Sequence, residues 1–194
     1  MLGALSCVCV IATAQNQPNA DKLTETGQIL VAGRSTPYLI RHLPVSSFPE
    51  LPQRIQDQLN GRGCLIPQTY EAHRPENVIH ASLERARSSD WAILCSAKGT
   101  VSLLVFFAGT SARPVVLASA RETERLQLHD GSGVLGFDWG IDPASPEQVH
   151  EAQASMAPRP PLLDHDAVAD SIVDHRAVYH FYAKGSWTVV EMPN

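Results

Sequence analysis

The sequence predicts an α+β fold, a single domain rich in antiparallel β-sheet with two short helices. Three observations predict it. Short β-branched or aromatic runs alternate with turn signals through the middle and C-terminal parts of the 194-residue chain. Only two stretches carry apolar residues at helical spacing behind a capping signal. The connections between runs are too short for parallel crossovers, which need a dozen or more residues. The length suits one domain, and a hydrophobic content of 44% is enough to fill a core.

The chain opens with Leu2 to Ile11, an apolar run too short to cross a bilayer as a helix. Ala12-Thr13-Ala14 follows as an A-x-A cleavage site, so residues 1–14 are expected to be a signal peptide. The run carries no Lys or Arg ahead of it, which departs from the usual pattern. Residues 15–26 are polar without periodicity and read as a flexible leader, leaving 27–194 as one globular domain with no transmembrane segment in the mature chain. Export, to the periplasm or the extracellular space, removes Cys7 and Cys9. The remaining pair, Cys64 and Cys95, is then expected to form a disulfide, since two thiols in an oxidising compartment usually pair.

Gln28–Ala32 and Tyr38–Leu43 read as strands separated by Gly33 and Pro37. Ser47-Phe48-Pro49-Glu50 supplies an S-x-x-E helix start, Leu51, Ile55 and Leu59 form its apolar stripe, and Gly61 stops it. Val78–Leu83, Asp90–Ser96, Thr100–Phe107 and Pro114–Ser119 are strands joined by hairpin turns, and the VSLLVFF run is expected at the centre of the sheet because nearly every position is apolar. Ser145, Pro146 and Gln148 form a capping box with Pro at N1, and Val149, Ala152 and Met156 make the second helical stripe. Ala177–Ala183 and Trp187–Met192 close the fold as a hairpin about Lys184-Gly185. The Asp90 and Asp170 segments share one order, from acidic residue through a strand, a strand with an aromatic pair and a glycine turn to a last strand. A duplicated unit or ordinary hairpin grammar both produce it.

A net charge of −5 with scattered Lys and Arg excludes a nucleic-acid surface, which needs a clustered basic stripe. Among candidate sites, Asp164, Asp166 and Asp170 in the DHDAVAD segment offer alternating carboxylates, the donor type a hard cation such as Ca²⁺ collects. A transition-metal reading uses His165, Asp166, His175 and His180. Trp139 and Asp138 in GFDWG are the candidate binding surface, because rigid aromatics anchor ligands at low entropy cost. Other patterns are incomplete. His150-Glu151 lacks the second histidine of a zincin helix, since Ala154 stands there; Asp130-Gly131-Ser132-Gly133 lacks the Lys-Ser/Thr of a phosphate loop; and no G-x-S-x-G elbow occurs. Glu122 and Glu124 read as a solvated charged loop.

The DHDAVAD segment is similar to the acidic calcium loops of FG-GAP/VCBS repeat proteins, without their glycine at the sharp turn or the acidic residue at the fifth position. Arg62-Gly63-Cys64-Leu65-Ile66-Pro67-Gln68 together with Asp90-Trp91-Ala92-Ile93-Leu94-Cys95-Ser96 resembles a pattern in a group of exported bacterial proteins. The resemblance extends to the C-terminal YHFY and G-x-W residues. It implies that both cysteines belong to the pattern, which suits a disulfide, and it brings no enzyme activity.

The leading expectation is therefore a non-enzymatic exported binding protein, taking a protein partner, a glycan or an ion through loops of its C-terminal half. Ca²⁺ is the one cofactor suggested. The alternatives are a metal-dependent hydrolase on His165, Asp166, His175 and His180, and a structural envelope protein.

Overall fold

The computed structural model describes residues 23–108, 113–129, 131–172 and 176–192. The segment expected to be a signal peptide and most of the expected leader lie outside the described residues. A nine-stranded sheet contains β1 (Thr24–Val31), β2 (Arg34–Pro44), β3 (Leu65–Gln68), β4 (Val78–Ala81), β5 (Asp90–Ala97), β6 (Thr100–Phe106), β7 (Val115–Arg121), β8 (Leu126–Leu128) and β9 (Leu135–Phe137). A four-stranded sheet contains β10 (Trp139–Ala144), β11 (Ala167–Ile172), β12 (Arg176–Ala183) and β13 (Ser186–Glu191). The helices are α1 (Gln53–Arg62) and α2 (Pro146–Ala152). The expected α+β class holds at that level, with strand predominating. Thr24–Thr26, expected in the leader, are already β-strand, paired with Leu39–Arg41.

Alternation along the strands sorts the core into layers. On β5, Ala92 and Leu94 face one way, with Val101, Leu103 and Val105 of β6, and they pack on Trp139, Ile141 and Val168 of the smaller sheet. Trp91, Ile93 and Cys95 face the other way and meet Ile55 and Leu59 of α1. Tyr179 and Phe181 on the far face of the smaller sheet pack with Val149 and Ala152 of α2. The order is therefore helix, sheet, sheet, helix. Such stacking explains why β5 is buried along almost its whole length.

The VSLLVFF strand is apolar because both its faces are covered, and it is not at the sheet's centre. β6 lies second from the edge, between β5 and β7, and Val116 of edge strand β7 is 53% exposed. Pairing is antiparallel except between β2 and β9, where Tyr38 and Leu39 run parallel to Leu135 and Gly136. The two segments of shared grammar form three-stranded meanders in different sheets, β5-β6-β7 and β11-β12-β13.

The first helix starts later than its S-x-x-E signal. Ser47 ends a 3-10 turn, and Pro52 is the N-cap. A proline disfavours helical conformation in the residue before it, so Pro49 and Pro52 push the start past Leu51. Gly61 is tolerated inside the helix. Gly63, at φ 71°, terminates it in the left-handed region that glycine enters without steric penalty. Helix α2 has the expected box, with Gln148 N donating to Ser145 Oγ (3.3 Å) and Ser145 N to Gln148 Oε1 (2.7 Å). Met156 lies beyond the helix and is exposed.

Immediately after Gly63, Cys64 meets Cys95 of β5 with the sulfur atoms at bonding distance and the Cα atoms 5.2 Å apart. The bridge staples the end of α1 to the large sheet across a separation of 31 residues. Closing a loop of that length stabilises the fold by about 3–4 kcal/mol in the chain-entropy model. Among the described residues, no helix is long and apolar enough to cross a membrane.

Candidate functional site

The structure gathers three of the singled-out residues, Trp139, Asp170 and His180, on one face of the smaller sheet. Strand register does this. Trp139 opens β10 opposite Ile172 of β11, Asp170 stands opposite Val178 of β12, and His180 follows two residues on. A period of two keeps Asp170, Ile172, Val178 and His180 on the same side. The Trp139 indole N–H donates to Asp170 Oδ1 (2.6 Å), and His180 Nε2 donates to Asp170 Oδ2 (3.0 Å). Both carboxylate oxygens are thus engaged, and the imidazole is oriented by its bond to Asp170.

Trp139 is a correction. The residue expected on a binding surface is fully buried. GFDWG is not an exposed loop: it is the end of β9, the single residue Asp138, and the start of β10, where the chain steps from one sheet to the other. An indole enclosed between sheets needs an acceptor for its N–H, and Asp170 supplies it. Asp138 is also buried, and its backbone N–H donates to the Arg125 carbonyl (2.9 Å). That bond holds Arg125 at the site.

Arg125 is the member that sequence reasoning missed. Its Cζ lies 4.3 Å from the Trp139 ring centroid, a cation–π contact. Its Nε is buried and makes no hydrogen bond. The neighbouring Glu124 pairs with Arg121 instead (2.7 Å), and among the described residues no carboxylate forms an ion pair with Arg125. Arg125, Asp170, Ile172, Val178, His180 and Val189 enclose a cavity of about 210 Å³. Polar and aliphatic side chains are interleaved around it, Val178 standing opposite Asp170 and Val189 opposite His180.

The remaining expected residues go elsewhere. Asp164 is exposed and pairs with His165 Nδ1 (2.7 Å), a bond that holds its carboxyl below the ordinary aspartate range. The other nitrogen of His165 meets the Tyr182 carbonyl (2.8 Å). Asp166 accepts from the Ser82 N–H (3.0 Å) and returns its own N–H to the Ser82 carbonyl (2.8 Å), tying the smaller sheet to the end of β4. Asp164, Asp166 and Asp170 therefore serve three separate partners. Asp170 is not in a loop but in β11. Among the described residues, no three His, Cys, Asp or Glu side chains are arranged to hold a metal ion. His175 lies outside the described residues, while His165 and His180 hold different carboxylates.

Glu122, read as part of a solvated loop, is buried. Its Oε1 accepts from His42 Nε2 (2.7 Å) and from the Ser96 hydroxyl, both themselves buried. Burial pushes this carboxyl upward, but the bonds from His42 and Ser96 outweigh it and leave it below the ordinary glutamate range. These residues underlie a second cleft of about 370 Å³ that includes Glu25 and Lys98. Nucleophilic catalysis needs serine bonded to histidine and histidine to the acid. Here serine and histidine both bind the same carboxylate oxygen, so Ser96 is not bonded to His42 as a triad requires. A third groove, of about 510 Å³, runs between the 69–77 loop and β10–β11, with Asp142 raised by desolvation and by nearby Glu76.

The chain matches no protein-family model, no curated protein and no solved structure.

Proposed function

We propose that this is an exported, non-enzymatic binding protein that holds a small molecule in the cavity formed by Arg125, Asp170, His180 and their aliphatic neighbours. One observation carries the reading. A guanidinium without an ion-pair partner among the described residues is held over a buried indole, and it lines a cavity together with Asp170, His180 and three aliphatic side chains. Leaving a charged group partly desolvated is costly, and the cost is offset when a ligand completes its hydrogen bonds. The described lining combines three aliphatic side chains with three polar ones, a mixture that can both hold and orient a ligand. Among the described residues its lining contains no hydroxyl or thiol to act as a nucleophile, and His180 has its partner in Asp170. Export is supported by the apolar N-terminal run with its A-x-A site and by the Cys64–Cys95 pair.

Saturation-transfer NMR with mixtures of small carboxylates, amides, amines and sugars tests the pocket. At least one class should bind saturably to the wild type and be lost in the double variant Arg125→Gln/His180→Gln. Binding of no class, or binding unchanged in that variant, would remove this reading.

A further inference from the structure

We infer that the occupant of this cavity is a small organic carboxylate with a short aliphatic body, an inference that rests on the pocket being a ligand site. The first argument is charge. Among the described residues, Asp170 is the one acidic group lining the cavity, and its two oxygens accept from the Trp139 indole and the His180 imidazole. Arg125 forms no ion pair with any described carboxylate, so it is the charged group of the described lining still open to an anion.

The second argument is shape. Arg125 carries a planar guanidinium held beside the Trp139 ring, with its Cζ 4.3 Å from the ring centroid. A planar fork of this kind matches the two oxygens of a carboxylate. The third argument concerns the aliphatic side chains of the lining. Ile172, Val178 and Val189 come from three neighbouring strands and form aliphatic walls that are only partly covered, Val189 remaining 51% exposed. An inorganic anion would satisfy Arg125 and leave these walls wet. A short hydrocarbon would cover them, and burial of apolar surface is favourable in proportion to area. Size sets the limit. The space of 210 Å³ corresponds to about seven water volumes, which admits a branched four-carbon acid but not a sugar chain or a peptide.

Isobutyrate, isobutyramide and isobutylamine are nearly isosteric and differ in charge, so they separate the arguments. Thermal unfolding at neutral pH and constant ionic strength should show a saturable rise in Tm of about 2 °C with isobutyrate. The amide and the amine should give no such rise. Acetate, which lacks two carbons, should bind about tenfold more weakly. Arg125→Gln should weaken isobutyrate binding by about tenfold or more. Val189→Asp alters an exposed wall, so it should fold normally while repelling the anion.

An equal response to the amide would overturn the assignment to an anion. Acetate binding as well as isobutyrate, or full binding by Val189→Asp, would overturn the assignment of the aliphatic body. If isobutyrate fails while another class binds through Arg125 and His180, the carboxylate inference falls and the pocket stands. If nothing binds there, both fall.

Discussion

Glu122→Ala should lower the stability of the folded chain by about 3 kcal/mol, and Tm by about 10 °C, because it removes the shared acceptor of a buried hydrogen-bonded cluster and strands its partners. His42 and Ser96 are both buried against Glu122 and lose their shared acceptor once the carboxylate is gone. The cost comes from the orphaned partners, which yields a second expectation. Glu122→Leu combined with His42→Leu should recover part of the loss, since replacing both members of a buried pair with apolar groups is often neutral. The pH dependence has a definite sign. The folded state holds Glu122 below its unfolded value. Its contribution is therefore complete well above the ordinary glutamate pKa of about 4.3 and is lost as pH falls through the lower folded value. Denaturant unfolding of the wild type and Glu122→Gln should show a gap at neutral pH that narrows on acidification. A gap that widened toward acid would contradict the pairing.

Asp90→Ala should cost about 4 kcal/mol, for a related reason. Asp90 is completely buried at the start of β5. Its Oδ2 accepts from the backbone N–H groups of Leu83 and Glu84 (2.9 Å each) and from the Ser88 hydroxyl, and its Oδ1 accepts from the Ala108 N–H (2.9 Å). One carboxylate thus closes the loop between β4 and β5 and pins the far end of β6. Removing it leaves several donors without acceptors. Asp90→Asn keeps one acceptor oxygen and should fall in between. Hydrogen exchange should report the damage locally, with the Leu83, Glu84 and Ala108 amides losing protection before the rest of β5. Uniform loss across the sheet, with those three amides no worse than others, would show that Asp90 does not organise this corner.

Much of the strand framework is legible in the sequence because it is local. The β5, β6, β7, β12 and β13 runs are β-branched or aromatic and bounded by turn dipeptides such as Lys98-Gly99 and Lys184-Gly185, both residues of each lying at positive φ as a tight hairpin requires. The second helix is legible through Ser145 and Gln148, whose side chains make the reciprocal bonds their spacing implies. What escapes is short or non-local. β3, β8 and β9 are three or four residues long and carry too little pattern to identify. β10 and β11 contain Gly, Pro, Ala and Asp, so they read as loop although tertiary pairing makes them strands.

The site follows the same division. Trp139, Asp170 and His180 stand out as residue types, but their meeting depends on the register of three strands, which no local signal encodes. Arg125 and Glu122 belong to the run Arg121-Glu122-Thr123-Glu124-Arg125, whose composition looks solvated from end to end. A 3-10 turn over Glu122–Arg125 instead buries the first residue and places the last above an indole. Alternating carboxylates in DHDAVAD suggest a shared cation, yet strand geometry sends Asp166 toward Ser82 and Asp170 toward Trp139.

The central claim, that ligand binds beside Trp139 through Arg125, is tested most directly by the indole N–H resonances of ¹⁵N-labelled protein during an isobutyrate titration. The chain has three tryptophans, and Trp139→Phe assigns the signal in question. The Trp139 resonance should shift saturably, with the same midpoint as the rise in Tm, and should not move in Arg125→Gln; Trp91, buried on the opposite face of the large sheet, should stay still. A Trp139 resonance that remains fixed while isobutyrate raises Tm would place the ligand elsewhere and contradict the account.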